Sequence, residues 1–395
     1  MANITIRKLE GDEKLQVMYG LNAYAFFATP PLMNEQEWKE YVKLREGVTY
    51  LALFEDARPV SGAAGTTMIQ HVRGRLFDAN GLWAVATAPG ARRNGYCRSV
   101  IAQLLCALRD DGQVFSNLYP FRESFYERLG YVTFPLPRIA KLAPSALLPL
   151  MDQDLGGQVE LMLIGDGFDI YRDYLSRLRQ RTHGMAMFVI GDRAAAQRNR
   201  SWVALAKVQD ELVGLMLYQI KGDQETHQFL FSAARFYYET SLGRYLLLQW
   251  IARHTDQTNQ AEIWLAPFEQ PETWLSDIQV KTESQNRAPM GRVLDVSRLG
   301  GMQVGSGRFS VRIADLLCPW NEGLWRFESA DGALQVTRAD EADCDLSIQA
   351  LTALVYGTHD PDDFAIRGWG SPSPAVQAIL RTMFPPMMPY MHEYF

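Results

Sequence analysis

Apolar and polar positions along this chain fall into blocks that predict an ordered series of elements. Gly81-Leu82-Trp83-Ala84-Val85-Ala86-Thr87 is an apolar run of strand length, and Arg98 to Arg109 reads as a helix. Between them stands a basic turn, Arg92-Arg93-Asn94-Gly95-Tyr96-Cys97. Gln113 to Tyr119 reads as a second buried strand, and Pro120 to Tyr131 as a short helix stopped by Gly130. Further on, Trp202 to Gln219 and Gln228 to Tyr237 are rich in β-branched and aromatic residues, with a polar Gly222-Asp223 turn between them, and are expected to be neighbouring strands. Ser241-Leu242-Gly243-Arg244 opens a helix through Ala252, and Ala261 to Leu265 is another strand. The same order of elements thus occurs twice. Only the first copy has the basic turn.

A length of 395 residues exceeds one domain. The stretch Leu142 to Gly157, with Pro144, Pro149 and paired glycines, is expected to be a linker, and the texture changes again near Ala288. These breaks predict three domains, 1–150, 151–287 and 288–395.

The basic turn carries the chemistry. A strand running into a glycine-containing turn and then a helix presents unpaired backbone N–H groups and a positive dipole end to an anion. Gly95 lets the backbone approach phosphates, and Arg92 and Arg93 add charge. No Gly-Lys-Ser/Thr ending is present, so a phosphate-bearing cofactor is expected rather than a hydrolysed nucleotide. On spacing alone, the same turn also reads as a solvated helix start.

Composition removes other classes. A net charge of −6 argues against a nucleic-acid partner and suits either a cationic substrate or a merely solubilising surface. No run reaches bilayer length, and Met1 to Arg7 is a strand start without a signal peptide's apolar core, so no membrane partner and a cytoplasmic location are expected. Cys97, Cys106, Cys318 and Cys344 lack CxxC spacing and read as reduced, mostly buried thiols. The six histidines show no i, i+4 pair, and no metal is expected.

The order strand, RRxG turn, helix, strand, FY-containing helix resembles the GNAT superfamily of acyl-CoA-dependent N-acetyltransferases. Arg92 to Gly95 match its Q/R-x-x-G-x-G/A motif, with Cys97 in place of the final small residue, and Phe125-Tyr126 to Gly130-Tyr131 match its FYxxxGY element. Met290 to Asp295, Cys318-Pro319-Trp320-Asn321-Glu322-Gly323 and Leu346 to Gly357 resemble the MxRxxD, CPWNxG and IxxLxxLxxG segments of the sterol-carrier-protein-like tail of the Eis acetyltransferases. That likeness covers the whole chain. It implies an α+β / α/β architecture of two GNAT-like domains with mixed sheets flanked by helices, the second degenerate, followed by a sterol-carrier-protein-like α+β domain. It also implies assembly into multimers.

Acetyl transfer requires an amine to lose a proton, a thioester carbonyl to be polarised, and a thiolate with an ordinary pKa near ~8.5 to be protonated or stabilised. The resemblance implies acetyl-CoA as cosubstrate, held by Val85, Ala86, Thr87, Arg92, Arg93, Gly95 and Tyr96, with a strand amide around Val85 and Thr87 on the carbonyl. It makes Tyr126 the acid for the sulfur, although periodicity alone reads Tyr126 as a core aromatic. The carboxylate of the last residue, Phe395, is implied as acceptor of the amine proton. Its apolar, aromatic neighbourhood, Met388 to Tyr394, suits a docked tail. Phe26, Phe27, Trp38 and Trp83 are implied as walls of an amine pocket, each equally readable as core. The implied substrate is a small-molecule primary amine: an aminoglycoside, a polyamine or a lysine. The rival classes are a non-enzymatic carrier of a hydrophobe and an acyl-CoA sensor without turnover.

Overall fold

A computed structural model describes residues 3–27, 38, 47–191, 193–198, 200–223, 228–285 and 287–395. Contacts divide the chain into two compact units. The first comprises 1–135, 179–190 and 288–395, and the second comprises 136–178 and 191–287.

The main sheet of the first unit has the order β1-β2-β3-β4-β5-β15-β6, with β9 on the side of β3. These strands are β1 Ile4–Lys8, β2 Val48–Glu55, β3 Arg58–Val72, β4 Arg75–Thr87, β5 Phe115–Leu118, β6 Val132–Thr133, β9 Ala186–Phe188 and β15 Met290–Val293. Two-residue turns at Asp56-Ala57 and Arg73-Gly74 have positive φ at both positions, the geometry whose twist matches antiparallel strands. β4 and β5 are parallel and pair only from Ala79↔Phe115 to Gly81↔Asn117. Beyond Gly81 they part, and β4 runs on to Thr87.

A second sheet in this unit, with order β18-β17-β16-β19, is built from β16 Arg308–Ala314, β17 Gly323–Ala330, β18 Ala333–Arg338 and β19 Cys344–Ser347. Its inward residues Phe309, Val311, Trp325 and Phe327 share one continuous core with helices Ile348–Tyr356 and Pro374–Met383 and with Phe77 and Phe115 of the main sheet.

The MxRxxD and CPWNxG segments form the buried polar joint of this assembly. Arg292 donates to Asp315 at 2.6 Å and to the Leu129 carbonyl, while Asn321 donates to Asp315 at 2.9 Å and to the Leu294 carbonyl at 3.1 Å. Both members of the Arg292–Asp315 pair are fully buried, so losing either would strand a charge, at a cost of roughly 3–5 kcal/mol.

The second unit has one sheet, β14-β7-β13-β12-β11-β10-β8, from β7 Arg138–Leu142, β8 Gln158–Leu163, β10 Trp202–Val208, β11 Glu211–Asp223, β12 Gln228–Tyr238, β13 Gln260–Leu265 and β14 Lys281–Ser284. β12 and β13 are parallel, as β4 and β5 are, and helix Ser241–Ala252 lies between them in sequence. The expected strand Trp202 to Gln219 is two strands, because Gln209 and Asp210 form a tight turn with φ of 48° and 65°. Gly222 and Asp223 belong to β11.

Strand pairing also moves the expected boundaries. Residues 138–150, expected in the first domain, supply β7 and a 3-10 turn, Pro144–Leu150, to the second unit. Residues 179–190, expected in the second domain, supply β9 to the first sheet. β15, expected in the third domain, sits between β5 and β6. Backbone donors and acceptors on each inner edge need a partner, and the nearest segments in sequence do not supply it. Of the four free cysteines only Cys318 is fully buried, which corrects the expectation for the rest. Among the described residues no helix is long and apolar enough to cross a membrane.

Candidate active site

The site begins where β4 leaves β5. Ala84 has a φ of 53°, and the β3–β4 register shifts between Gly62 and Ala64, a bulge that turns the end of β4. The chain is then pinned by the Ala88 amide on the Val60 carbonyl at 2.8 Å and by a 3-10 turn, Pro89–Ala91. Arg93 and Gly95 are left-handed, with φ of 68° and 80°, and helix Tyr96–Asp110 starts with Gly95 as a cap that has no side chain to offer. The first helical bond at this end runs from the Ser99 amide to the Gly95 carbonyl at 3.1 Å. The amides of Tyr96, Cys97 and Arg98 therefore lack helical acceptors and point out of the N-terminus. A Cβ built on Gly95 meets no atom within 4 Å.

This end opens on a cavity of about 560 Å³ lined by Val85, Ala86, Thr87, Arg92, Arg93, Gly95, Tyr96, Cys97, Arg98, Phe121 and Phe125, with Ala25 and Ala91. Arg92 donates to the Thr87 carbonyl at 3.3 Å and Arg98 to the Leu316 carbonyl at 3.4 Å. Among the described residues none of Arg92, Arg93 and Arg98 has a carboxylate partner. Three arginines and a helix N-terminus thus line one hollow of a protein that is acidic overall.

Helix Glu123–Glu127 carries Tyr126, which does not itself line the cavity but packs against the lining residues Phe121 and Phe125. The Tyr126 ring is buried, edge-on to Phe125 at 5.0 Å, Phe121 at 5.7 Å and Tyr131 at 5.9 Å. Burial, followed by the neighbouring Cys97 thiol, holds the phenol well above its ordinary pKa, so it keeps its proton and is a donor. Burial also pushes the Cys97 thiol up to about 11, against a hydrogen bond to Thr87 that lowers it. Cys97 is therefore a neutral lining group and not a nucleophile. Phe121, 71% exposed, stands at the mouth against Phe125 at 5.3 Å.

The chain end docks at the splay. Pro389, Tyr390, Met391 and His392 are buried. The Tyr390 amide donates to the His183 carbonyl at 2.9 Å, and the Tyr119 hydroxyl donates to the Glu393 carbonyl at 3.1 Å. The Phe395 ring lies against Tyr119 at 5.7 Å and Phe188 at 5.6 Å. A Cβ on Gly81 would fall 2.7 Å from that ring, so the last rung before β4 and β5 part is shaped for the terminal side chain.

A sequence model described as an acetyltransferase (GNAT) domain matches residues 5–134, and one described as a sterol carrier protein domain matches residues 293–392. The chain carries a GNAT acetyltransferase domain and a sterol carrier protein domain. Its fold is that of a GCN5-related N-acetyltransferase from Anabaena variabilis, at 18% identity and a TM-score of 0.84, with 100% of each chain covered. It is equally that of a probable N-acyltransferase from Enterococcus faecalis, at 20% identity and a TM-score of 0.84, again over 100% of both chains. Eis1 from Mycobacterium abscessus matches at 16% identity and a TM-score of 0.79 over 100% of both chains. No curated protein matches the chain.

Within the GNAT domain the structure gathers Val85, Ala86, Thr87, Arg92, Arg93, Gly95 and Tyr96 around one cavity. Tyr96 also donates its hydroxyl to Glu55 at 3.0 Å. The aromatic group divides. Trp38 is buried in a cluster with Met18, Tyr50 and Phe54, and Trp83 lies beside it, 5.9 Å from Tyr50 and donating to Thr66 at 2.8 Å. Phe26 is exposed, one residue from the cavity-lining Ala25, and the Phe27 side chain lies outside the described residues. Sequence reasoning passed over Arg98, Phe121, Gly81 and Tyr119. A third basic residue one turn into the helix was a readable signal for Arg98. Nothing local marks Gly81 and Tyr119, whose partner is more than two hundred residues away.

Proposed function

We propose that this chain transfers the acetyl group of acetyl-CoA to a primary amine by direct attack, without a covalent enzyme intermediate. The observation that carries the reading is one cavity lined by an uncapped helix N-terminus, an open Gly95 and three arginines that have no carboxylate partner among the described residues, with Tyr126 packed against its lining residues Phe121 and Phe125. Arg92, Arg93 and the amides after Gly95 hold the pyrophosphate, Arg98 adds charge for a further phosphate, and Val85, Ala86, Thr87 and Tyr96 line the arm. When bound, acetyl-CoA supplies an activated thioester. The β4 edge beyond Gly81, which β5 no longer pairs, offers a backbone N–H near Val85 and Thr87 to the carbonyl. Tyr126, protonated at neutral pH as an ordinary phenol is, donates to the departing sulfur.

The Phe395 carboxylate receives the amine proton. A terminal carboxylate with an ordinary pKa near ~3.5 is a weak base for an ammonium group, so it acts in a desolvated setting or through water, and also anchors the cation. Phe26 is a wall of the amine site, with Trp83 and Trp38 supporting that wall from the core. The second unit is a GNAT-like domain in which, among the described residues, the helix start after β12 has no basic turn.

The sterol-carrier-type sheet shares one continuous core with its helices. Release of free thiol from acetyl-CoA, measured against a panel of aminoglycosides, polyamines and lysine peptides, tests the proposal. Amine-dependent release is expected. Tight acetyl-CoA binding with no release on any amine would turn the protein into a sensor, and no binding would remove the reading altogether.

A further inference from the structure

We infer that Glu393 is a positioning residue, tying the terminal carboxylate to the splay of the first sheet through the edge strand β9. The inference rests on the reading of Phe395 as proton acceptor. A chain end frays unless something holds it. Here the hold comes in steps. Pro389 lies over Gly184, whose φ of 80° and whose Cβ position, 2.6 Å from the Pro389 Cβ, leave no room for a side chain. The Tyr390 amide then bonds the His183 carbonyl.

Two bonds of Glu393 reach the first sheet. Its carboxylate accepts the Phe188 amide of β9 at 3.3 Å, and its carbonyl accepts the Tyr119 hydroxyl at 3.1 Å. Beyond it Tyr394 and Phe395 rest on Tyr119 through ring contacts at 4.6 and 5.7 Å. Two residues reach only about 7 Å, so slack at Glu393 becomes misplacement of the carboxylate. A shift of about 1 Å is enough to cost a reaction of this kind on the order of 100-fold. The same geometry assigns the Glu393 side chain to the β9 backbone, a different task from that of the Phe395 carboxylate. β9 is drawn from the sequence stretch between the two halves of the second unit, so that stretch completes the site of the first.

The test uses the full chain with its native end and three variants. Glu393→Ala removes the acceptor, Glu393→Gln keeps an oxygen for the Phe188 amide, and Gly81→Ala pushes on the Phe395 ring from the opposite side. Phenylalanine release by a carboxypeptidase reports docking without reference to catalysis, while kcat and acetyl-CoA affinity report function. We expect Glu393→Ala and Gly81→Ala to speed phenylalanine release and lower kcat about tenfold or more, with acetyl-CoA affinity unchanged. Glu393→Gln should recover most of the loss. Unchanged phenylalanine release in Glu393→Ala overturns the tether, and a Gln variant as impaired as Ala overturns it in favour of a charge effect. Faster release with unchanged kcat leaves the tail anchored but overturns its positioning role, and with it the reading of Phe395.

Discussion

The helices that follow β4 and β12 begin in opposite ways. In the first unit residues 88–95 separate strand from helix, Gly95 offers no capping side chain, and its Cβ position is empty. In the second only residues 239–240 intervene, and the Thr240 hydroxyl takes the Gly243 amide at 3.1 Å. A Cβ on Gly243 would fall 2.3 Å from the Val213 carbonyl, so this glycine exists for backbone packing. Arg244, the basic residue nearest this helix start, is wrapped by Tyr238, Tyr245 and Trp274, with cation–π distances of 5.3, 4.9 and 5.9 Å. Two similar segments, strand then glycine-bearing helix start, thus differ in what satisfies the orphan amides. Where a threonine and a neighbouring strand have filled the space, no anion has a place.

Several changes would break or sharpen this contrast. The largest effect is expected for Arg92→Ala with Arg93→Ala. Two charge-assisted contacts of roughly 1.5–3 kcal/mol each predict a loss of acetyl-CoA affinity of at least about 100-fold by calorimetry. Arg244→Ala should leave that affinity unchanged, and an equal loss there would erase the distinction between the two helix starts.

Tyr126→Phe keeps the ring and removes the proton donor. Turnover should fall by about 100-fold with cofactor affinity intact, whereas near-normal turnover in a regime limited by chemistry would reduce Tyr126 to packing.

The glycines offer a paired test. Gly95→Ala meets a φ of 80° and open space, so it should cost about 1 kcal/mol of stability and weaken acetyl-CoA about tenfold. Gly243→Ala should destabilise the second unit by roughly 1–3 kcal/mol through overpacking and spare the cofactor. A reversed pattern in melting and binding would mean that the two helix starts have been assigned the wrong way round. Thr240→Ala should cost about 1 kcal/mol of stability, read by chemical denaturation, with no change in acetyl transfer.

The smallest effect concerns pH. Burial depresses His183 to about 3, while its Nδ1 accepts the Arg73 amide and its Nε2 meets the Tyr356 carbonyl. The folded protein keeps this ring neutral while the unfolded chain protonates it below about pH 6.5. Stability is therefore lost as pH falls from about 6.5 toward 3, by about 1.4 kcal/mol at pH 5.5. A stability profile of His183→Gln with the same slope in that window would assign the loss to other groups.

Much of the first site was legible before any fold was known, because its parts are contiguous. The strand, the basic turn and the helix start lie within Gly81 to Arg109, and local rules about helix ends suffice to read them as an anion cradle. Phe125-Tyr126 matches the FYxxxGY element, and in the structure Phe125 lines the cavity while Tyr126 is buried against it. The aromatic set was read less well. Trp38 and Phe26 look alike as exposed or buried apolar residues in sequence, yet one lies in a packed cluster and the other faces outward. Gly81, Tyr119 and β9 gave no local sign, since each is defined by a partner distant in the chain.

Local backbone chemistry thus determined, from the sequence alone, where a helix would start with unpaired amides and which residues would surround that start. Tertiary structure decided the rest. It moved residues 138–142 into the sheet of the second unit and 290–293 into the main sheet of the first, and it set the chain end on Gly81. The physical reason is range. Turn and helix-start preferences act over a few residues, whereas unpaired strand edges and buried rings are satisfied by whatever segment reaches them first in space, however far it lies along the chain.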